Sequence, residues 1–427
     1  MSDKQKSTTI TLPRGTLALT YQTNNVAGND STYELEDLLD FAQRINPKRA
    51  FLFVSKVLGR HIPVAPSTMR RAFTDLATLI PNDLPEPILV IGMAETAVGL
   101  SAGVHQALQT RYPDALLLNS TRHAQHDDTS DGNNTETLLT TFSEDHSHAS
   151  QHLIYQSSDK STQAQLLASK TVIMVDDEAS TGNTCINVIT ALRDAGLTQL
   201  EQVYLTTLVD WSLAQTGLDT AVADKIASRL PNIDFYRHHL LSGAWQWTDA
   251  PNPEPIIMPS VDTTAAGSQP ILSTGSWGRF PTLDSTDGFD DYLSYFKKAF
   301  AKFNKQDNVD EIFFKQDQLP KRILVLGSNE FVWLPFLLAQ WLEQNTRANH
   351  VERDIKFSAL TRSPIALGGA ITTMMSFTDN YGLGMTNFVY NVDSKDWDLI
   401  ILCVETPVDS VDMMWQDLSN VLVVSPE

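Results

Sequence analysis

Two adjacent carboxylates and a polar turn lie between an apolar segment and an apolar helical pattern. Residues 172–175 predict a buried strand, and Asp176 and Asp177 follow it, where we expect an exposed loop. Backbone N–H groups of a turn before a helix suit a phosphate, and paired carboxylates suit a vicinal diol because each accepts a hydrogen bond from a hydroxyl. These residue types therefore predict a 5-phosphoribosyl site. The turn contains Ser180, Thr181, Gly182, Asn183 and Thr184, and the helix is predicted over residues 185–194.

A second predicted strand, residues 88–91, also runs into a turn and then a helix over residues 97–108. The turn contains Ala94, Glu95 and Thr96, and its N–H groups suit another anion. Thr96 can also cap the helix. Glu95 is unexpected beside an anion unless it meets Mg²⁺ or a cationic part of a ligand. A simple capped turn explains these residues equally well.

Arg122 follows a third predicted strand, residues 115–118, and precedes a long polar segment. A loop as long as residues 123–151 is usually functional or mobile. Within it, Glu144, His146 and His148 are candidates to transfer a proton or to hold a leaving group. Zinc binding by histidines is a weaker alternative because their spacing is loose and no cysteine helps; a solvated polar loop is the simplest interpretation. The histidines are His123, His126, His146, His148 and His152.

The overall charge argues against nucleic acid or an anionic membrane as a partner. The chain has 427 residues, with 51 acidic and 31 basic side chains and a net charge of −20. A polyanionic ligand would therefore need local Lys and Arg groups together with Mg²⁺. Two distant cysteines suit neither a disulfide framework nor a zinc site, and no segment approaches 18 uninterrupted apolar residues. We therefore expect a cytoplasmic protein that does not span a membrane.

Strands alternate with helices along most of the chain, which predicts an α/β architecture with a parallel sheet. Helical periodicity also appears over residues 35–44. Residues 249–285 are rich in Pro, Ser, Thr and Gly, which indicates a connection. We predict a first domain over residues 1–250, a connection over 251–285 and a second, Rossmann-like α/β domain over 286–427. The strands predicted in the second domain are residues 322–326, 355–360, 399–404 and 421–424.

The segment from the strand to Thr184 resembles the phosphoribosyl-pyrophosphate (PRPP) motif of type I phosphoribosyltransferases, an apolar strand followed by two acids and Thr-Gly-x-Thr. The resemblance implies the type I fold, a parallel sheet flanked by helices with a hood. It implies that PRPP with Mg²⁺ reacts with a nitrogenous acceptor, or the reverse. Asp176 and Asp177 would hold the ribose hydroxyls, and residues 180–184 would hold the 5′-phosphate.

The same resemblance assigns the pyrophosphate end of the site. The turn with Glu95 matches the pyrophosphate loop, and Arg122 stands where those enzymes keep a basic residue for pyrophosphate. Residues 123–151 match the loop that closes over PRPP. Residues 55–63 partly resemble a stretch of orotate-type phosphoribosyltransferases, which makes Lys56 and Arg60 further candidates for pyrophosphate.

Residues 361–364 read Thr-Arg-Ser-Pro and complete the resemblance. The chain is similar to a two-part bacterial family in which a phosphoribosyltransferase domain precedes a domain named after this motif. That family is associated with tellurium-resistance-type stress operons and is thought to make a nucleoside-like metabolite. The implied ligands are PRPP or a nucleotide and a small-molecule acceptor that the sequence does not identify. A homodimer is a possible assembly.

The second domain offers its own ligand candidates at predicted strand ends, where open α/β sheets bind ligands. They suit a phosphate or carboxylate, although capped turns are an equally good explanation. Two alternatives stay open: a non-catalytic sensor of PRPP or nucleotide, and a bifunctional enzyme whose second domain processes the product. We expect Arg362→Ala to spare pyrophosphate release, because residues 249–285 separate the two units. The candidates are Thr361, Arg362, Ser363, Asn329 and Glu330, with Asn387 nearby.

Overall fold

The computed structural model shows a mixed α/β protein with a seven-stranded and a four-stranded sheet. It describes residues 5–24, 33–44, 49–125, 138–143, 151–212, 228–253, 255–257, 277–305, 319–348 and 352–426. The strands are β1 (Lys6–Leu12), β2 (Gly15–Thr23), β3 (Leu39–Gln43), β4 (Phe51–Ser55), β5 (Ile88–Gly92), β6 (Leu116–Asn119), β7 (Leu138–Ser143), β8 (Gln151–Tyr155), β9 (Thr171–Ala179), β10 (Gln202–Asp210), β11 (Asp234–Asp249), β12 (Arg322–Gly327), β13 (Asp354–Ala359), β14 (Met374–Thr378), β15 (Thr386–Tyr390), β16 (Leu399–Cys403) and β17 (Val421–Val424). The helices are α1 (Leu35–Leu38), α2 (Pro66–Thr78), α3 (Val98–Leu108), α4 (Lys160–Leu167), α5 (Asn183–Asp194), α6 (Phe289–Phe303), α7 (Trp333–Ala348) and α8 (Met413–Gln416).

The first sheet has the order β1–β2–β11–β10–β9–β5–β6, and the five strands from β11 to β6 are parallel. The hairpin of β1 and β2 adds to β11 in the antiparallel direction. The prediction of a mainly parallel sheet is therefore confirmed. Because parallel strands end at the same edge, the segments after β5, β6 and β9 meet there.

Alternate residues of β9 face two different layers. Ile173 and Val175 belong to the core that includes α2 and α3. Val172 and Met174 belong to a second core with the buried side chains of α5. Both faces of the strand are thus covered, which explains why its sequence is continuously apolar rather than alternating.

The second sheet has the order β13–β12–β16–β17, with all four strands parallel. It shares one apolar core with the first sheet: the rings of Phe73 in α2 and Phe336 in α7 lie 5.4 Å apart, centroid to centroid. Thr282, inside the predicted connection, pairs with Leu117 of β6. The expectation that residues 249–285 keep two units apart is therefore wrong, because apolar side chains pack continuously across the boundary.

Two other segments differ from the sequence prediction. The helical periodicity of residues 35–44 yields only the single turn α1, after which β3 pairs with β4, because strand pairing overrides a short periodicity. The polar segment 123–151 includes, in its described part, the strand β7, whose Phe142 reaches the core; β7 pairs in the antiparallel direction with β8, which begins at the end of the segment. No helix among the described residues is long and apolar enough to cross a membrane.

Candidate active site

The central strand β9 carries both acids of the predicted diol site. β10 pairs with β9 along its whole length, with Asp176 opposite Thr207, so Asp176 and Asp177 are half-buried strand residues. The prediction of an exposed loop is wrong for this reason. Strand geometry turns neighbouring side chains to opposite faces, and Asp176 lines the cavity beside the turn together with Glu178. The backbone N–H of Asp177 donates to Asp176 Oδ1 at 3.0 Å.

Glu178 is held by an arginine from the β3–β4 region. Arg49 makes two parallel bonds to its carboxylate, of 2.6 and 3.0 Å, and the guanidinium lies over the rings of Phe51 and Phe53. Such a planar pair fixes orientation as well as charge. Burial, and secondarily the charge of Glu178, raise the pKa of Asp177 to about 6. The Asp177 carboxyl group therefore gains or loses its proton close to neutral pH.

The turn after β9 surrounds a cavity of about 110 Å³. α5 begins at Asn183, two residues before the predicted start, and Gly182 precedes it with a φ of 73°. That left-handed conformation favours glycine. The N–H of Asn183 donates to Thr181 Oγ1 at 3.3 Å, while Ser180 and Thr184 also line the cavity. Backbone donors and a helix N-terminus thus face one small space, as an anion requires.

Arg237 is a site residue that the sequence prediction missed. It lies in β11, pairs with Asp210 at 3.0 Å and has a 13% exposed side chain. Its Nη2 is 3.1 Å from where a Cβ on Gly182 would stand, and this atom has no hydrogen-bond partner among the described residues. A buried guanidinium therefore adjoins the phosphate turn. No local signal marked it, because β11 was not predicted and sheet pairing alone brings it to the turn.

The turn after β5 is tied to the second domain. Arg60 Nη1 donates to Glu95 Oε1 at 3.0 Å and to the carbonyls of Asn329 at 2.8 Å and Leu360 at 3.0 Å. Glu95 thus meets an arginine of the protein, and Arg60 is buried and already engaged. Lys56 donates instead to the carbonyl of Glu36.

The other side chains and N–H groups of the turn after β5 also contact the protein itself. The N–H of Ala94 donates to Ser120 Oγ at 3.0 Å. Thr96 does not cap α3, because the N-cap residue is Ala97 and no side chain bonds there. The prediction of a Thr96 cap is therefore wrong: the helix begins one residue too late for its hydroxyl to serve.

The Arg122 segment is held by a carboxylate of the second domain. Glu330 accepts from the N–H of Arg122 at 2.8 Å and from Thr121 Oγ1 at 2.5 Å. Arg279 lies 3.5 Å from the same carboxylate and makes two 2.7 Å bonds to Glu405. Burial alone would raise the pKa of Glu330, but the charge that His123 carries at low pH, then Arg279 and the two donors, lower it to about 2. Glu330 is therefore a charged support of the Arg122 segment.

Two histidines of the polar segment lie in the core rather than in a metal site. His152 Nδ1 is 3.0 Å from Ser120 Oγ and its ring stacks on Phe142. Burial lowers the pKa of His123 to about 3 and that of His152 to about 4, so both are neutral. The part of the chain that the structure describes contains no group of three His, Cys, Asp or Glu side chains suited to a metal. Glu144, His146, His126 and His148 lie outside the described residues.

The Thr-Arg-Ser-Pro motif follows β13 and faces the first domain. Thr361 pairs with Phe388 through its backbone, and its hydroxyl accepts from the N–H of Ser363, which is exposed. Arg362 Nη2 contacts His123 Nε2. The motif is thus neither isolated from the first domain nor a purely internal turn.

Comparison with known proteins agrees with this two-part organisation. Residues 38–240 match the model of a family described as phosphoribosyl transferase, and residues 298–422 match one described as the TRSP domain on the C-terminal side of that transferase domain. No curated protein sequence matches the chain. A solved structure that it resembles is adenine phosphoribosyl transferase from Trypanosoma brucei in complex with AMP, pyrophosphate and ribose-5-phosphate, with 12% identity and a TM-score of 0.33 over 54% of this chain and 86% of that one. The two matches thus identify a phosphoribosyltransferase domain over residues 38–240, followed by a TRSP domain over residues 298–422.

Proposed function

We propose that this transferase displaces pyrophosphate from C1 of PRPP with a nitrogen nucleophile, or catalyses the reverse reaction. The observation that carries the proposal is the continuous unit from β9 to α5, where Asp176 and the turn line one cavity and Arg237 lies beside it. Acceptors for a diol, donors for a phosphate and a guanidinium at this spacing match ribose 5-phosphate.

The charges suit the chemistry. The carboxylate of Asp176, which lines the cavity, accepts hydrogen bonds from the ribose hydroxyls. The charges of Asp176 and, from the neighbouring face of the strand, Asp177 stabilise positive charge that develops on the ring as the C1–O bond weakens. The pyrophosphate leaves with the electron pair of that bond, while the acceptor nitrogen forms the new bond to C1 and gives up its proton. Glu144 and His146 remain our candidates for the base that accepts this proton.

We assign the 5′-phosphate to residues 180–184 and Arg237, and the pyrophosphate to Arg122. Mg²⁺ fits oxygens of PRPP itself better than a protein cage, because it retains water and favours substrate phosphates. When bound, Mg²⁺ neutralises charge on the diphosphate.

The acceptor belongs, in our proposal, to the synthesis of a nucleoside-like metabolite of a stress response linked to tellurium resistance. The pairing of a transferase domain with a TRSP domain supports this assignment. Deleting the gene should then raise tellurite sensitivity, and Asp176→Asn should fail to restore resistance. We further propose a homodimer, which sedimentation of the purified chain would test.

Calorimetric titration of the full chain with PRPP and Mg²⁺ tests the donor assignment. Pyrophosphate release is then followed with a panel of nitrogenous heterocycles and amines, with Asp176→Asn as the matched inactive control. We expect PRPP to bind the wild type, and one acceptor class to release pyrophosphate from the wild type alone. PRPP binding without release across the panel would instead favour a PRPP sensor, and absence of PRPP binding would refute the proposal.

A further inference from the structure

The boundary between the two domains contains two guanidinium groups that no carboxylate of the described residues neutralises. Arg122 and Arg362 are both half-buried, and neither forms an ion pair with another described residue. The other two arginines described at this boundary have carboxylate partners: Arg279 is paired with Glu405 and Glu330, and Arg60 with Glu95. Glu330 in turn accepts from the Arg122 backbone, not from its side chain. Partly buried positive charge without a partner is unfavourable, so this boundary is suited to an anion.

His123 orients one of these groups without changing the charge. Its Nε2 contacts Arg362 Nη2, and its ring centroid lies 4.4 Å from that of Tyr381. Burial, with help from the charges of Arg362, Arg279 and Arg122, lowers the pKa of His123 to about 3. The imidazole is therefore neutral and accepts a hydrogen bond from Arg362. The guanidinium keeps its full charge, and its Nε has no partner among the described residues.

Two buried amides lie near the carboxyl ends of β12 and β13, one of them in β15 of the separate two-stranded sheet β14–β15. Because Thr361 pairs with Phe388 in the antiparallel direction, Asn387 lies opposite Arg362. Asn329 follows β12, and its carbonyl and that of Leu360 accept from one nitrogen of Arg60, so the two loops lie side by side. Asn329 and Asn387 are both 0% exposed, and in the described part of the chain neither amide has a hydrogen-bond partner.

A buried polar group without a hydrogen-bond partner is unfavourable. Two complete side-chain amides without partners, next to two unneutralised guanidinium groups, therefore mark a place that is arranged for a ligand. The donors available are planar guanidinium forks and amide N–H groups, which match the oxygens of phosphoryl and carboxylate groups. Of these, the proposed substrate PRPP supplies phosphoryl groups.

We propose that the TRSP domain completes the pyrophosphate site of the transferase: Arg362, with Asn387 and Asn329, binds the diphosphate of PRPP from the side opposite Arg122. This inference rests on the proposed function and extends it to the second domain. Arg362 is then a binding residue for the leaving group. The earlier expectation that Arg362→Ala would spare pyrophosphate release is reversed, because Arg362 lies against the residue that follows Arg122.

Titration of the full chain with three ligands in the presence of Mg²⁺ separates the diphosphate end of the site from the ribose 5-phosphate end. The ligands are PRPP, inorganic pyrophosphate and ribose 5-phosphate. For Arg362→Ala we expect affinity for PRPP and pyrophosphate to fall about tenfold to a hundredfold, as for loss of a charged hydrogen bond, with unchanged affinity for ribose 5-phosphate. The matched control is Arg322→Ala, which removes an exposed arginine of the same domain at the opposite end of β12 and should change none of the three.

Asn387→Asp distinguishes a binding role from a structural one while keeping the side-chain shape. A carboxylate opposite Arg362 should repel pyrophosphate and lower its affinity at least as much as Arg362→Ala does. A structural role predicts that the new ion pair leaves pyrophosphate affinity unchanged. Unaltered PRPP and pyrophosphate affinity in both variants, with normal binding by the wild type, would overturn this inference alone. If the wild type bound neither PRPP nor ribose 5-phosphate, the proposed function would fail instead.

Discussion

The phosphate turn and the domain boundary are built in opposite ways. The turn, residues 179–184, joins a strand and a helix that are neighbours in sequence, and it relies on backbone groups and one glycine. The boundary collects Arg60, Thr121, Arg279, Glu330 and Glu405 from both domains, and it relies on buried charged side chains. The first kind of site is recognisable in the sequence, and the second is not.

This difference also predicts how each region responds to mutation. A backbone site tolerates most substitutions except those that alter its φ angles or fill its space. A buried charge network is sensitive to the loss of any partner, because the remaining group is left without compensation. The strongest effects on stability should therefore come from the boundary, and the most specific effects on ribose 5-phosphate binding should come from the turn.

The largest expected effect is that of Glu330→Ala. Removing this carboxylate leaves the donors of Thr121 and Arg122 unpaired and should lower the free energy of unfolding by about 3–5 kcal/mol. Urea denaturation would measure that loss, and the KM for pyrophosphate should rise with it. In the wild type, the pKa of Glu330 is lowered from 4.5 to about 2. The stabilisation by its carboxylate is therefore complete above about pH 4.5 and is lost as the pH falls towards 2.

The control for Glu330→Ala is Asp398→Ala, which breaks the exposed pair with Arg322 and should change little. Equal stability of the Glu330 and Asp398 variants would mean that the boundary network is not a stabilising element, and the contrast between the two regions would disappear.

Asp176→Asn should lower turnover without unfolding the protein. The change keeps the shape of a strand residue but removes a charge that faces the cavity, which is worth about 2–4 kcal/mol in a transition state. That corresponds to roughly 30-fold to 1000-fold in kcat. Asp177→Asn should have a smaller effect because strand alternation turns Asp177 to the other face. Steady-state kinetics would measure both, with the exposed Asp194→Asn as control; full activity of Asp176→Asn would exclude the diol assignment.

Gly182→Ala tests the turn itself. A left-handed φ costs a non-glycine residue about 1–2 kcal/mol, and the added Cβ would lie 3.1 Å from Arg237. Gly196→Ala is the matched control, since its φ is also positive but the nearest side chain, Leu167, is 3.6 Å away. Both variants should lose thermal stability, whereas only Gly182→Ala should bind ribose 5-phosphate more weakly by calorimetry. Equal affinities would place the phosphate elsewhere.

The smallest effect concerns pH. Asp177 has a pKa of about 6, so if its ionised form is required, kcat/KM for PRPP should rise as the pH increases through about 6 and then level off. Glu178→Gln removes the carboxylate that helps raise this pKa and should move the rise to lower pH by part of the shift, since burial remains. Arg49→Met leaves the Glu178 carboxylate without its partner, and the rise in kcat/KM should therefore move to higher pH. Identical pH profiles for all three proteins would contradict the assignment.

Several elements were predictable because their signal is local. The strands β5, β9 and β12 consist of apolar runs with turn residues at their ends. The structure contains each of them, with β5 and β12 extended by one residue and β9 by five. β3 was not predictable, because its residues have helical periodicity and become a strand only through pairing with β4. The length of β9 also depended on its neighbour, since nothing in residues 176–179 by themselves favours a strand.

The sequence by itself determined the class of ligand chemistry: two acids, a Thr-Gly-x-Thr turn and a helix are adjacent in the chain, and short-range geometry places them around one cavity. Only the tertiary structure decided which distant side chains join them. Arg237 reaches the turn through sheet pairing, and Glu330 and Arg362 reach the Arg122 segment through the packing of two domains. The physical reason is that contacts between residues hundreds of positions apart depend on the complete core, which no local pattern encodes.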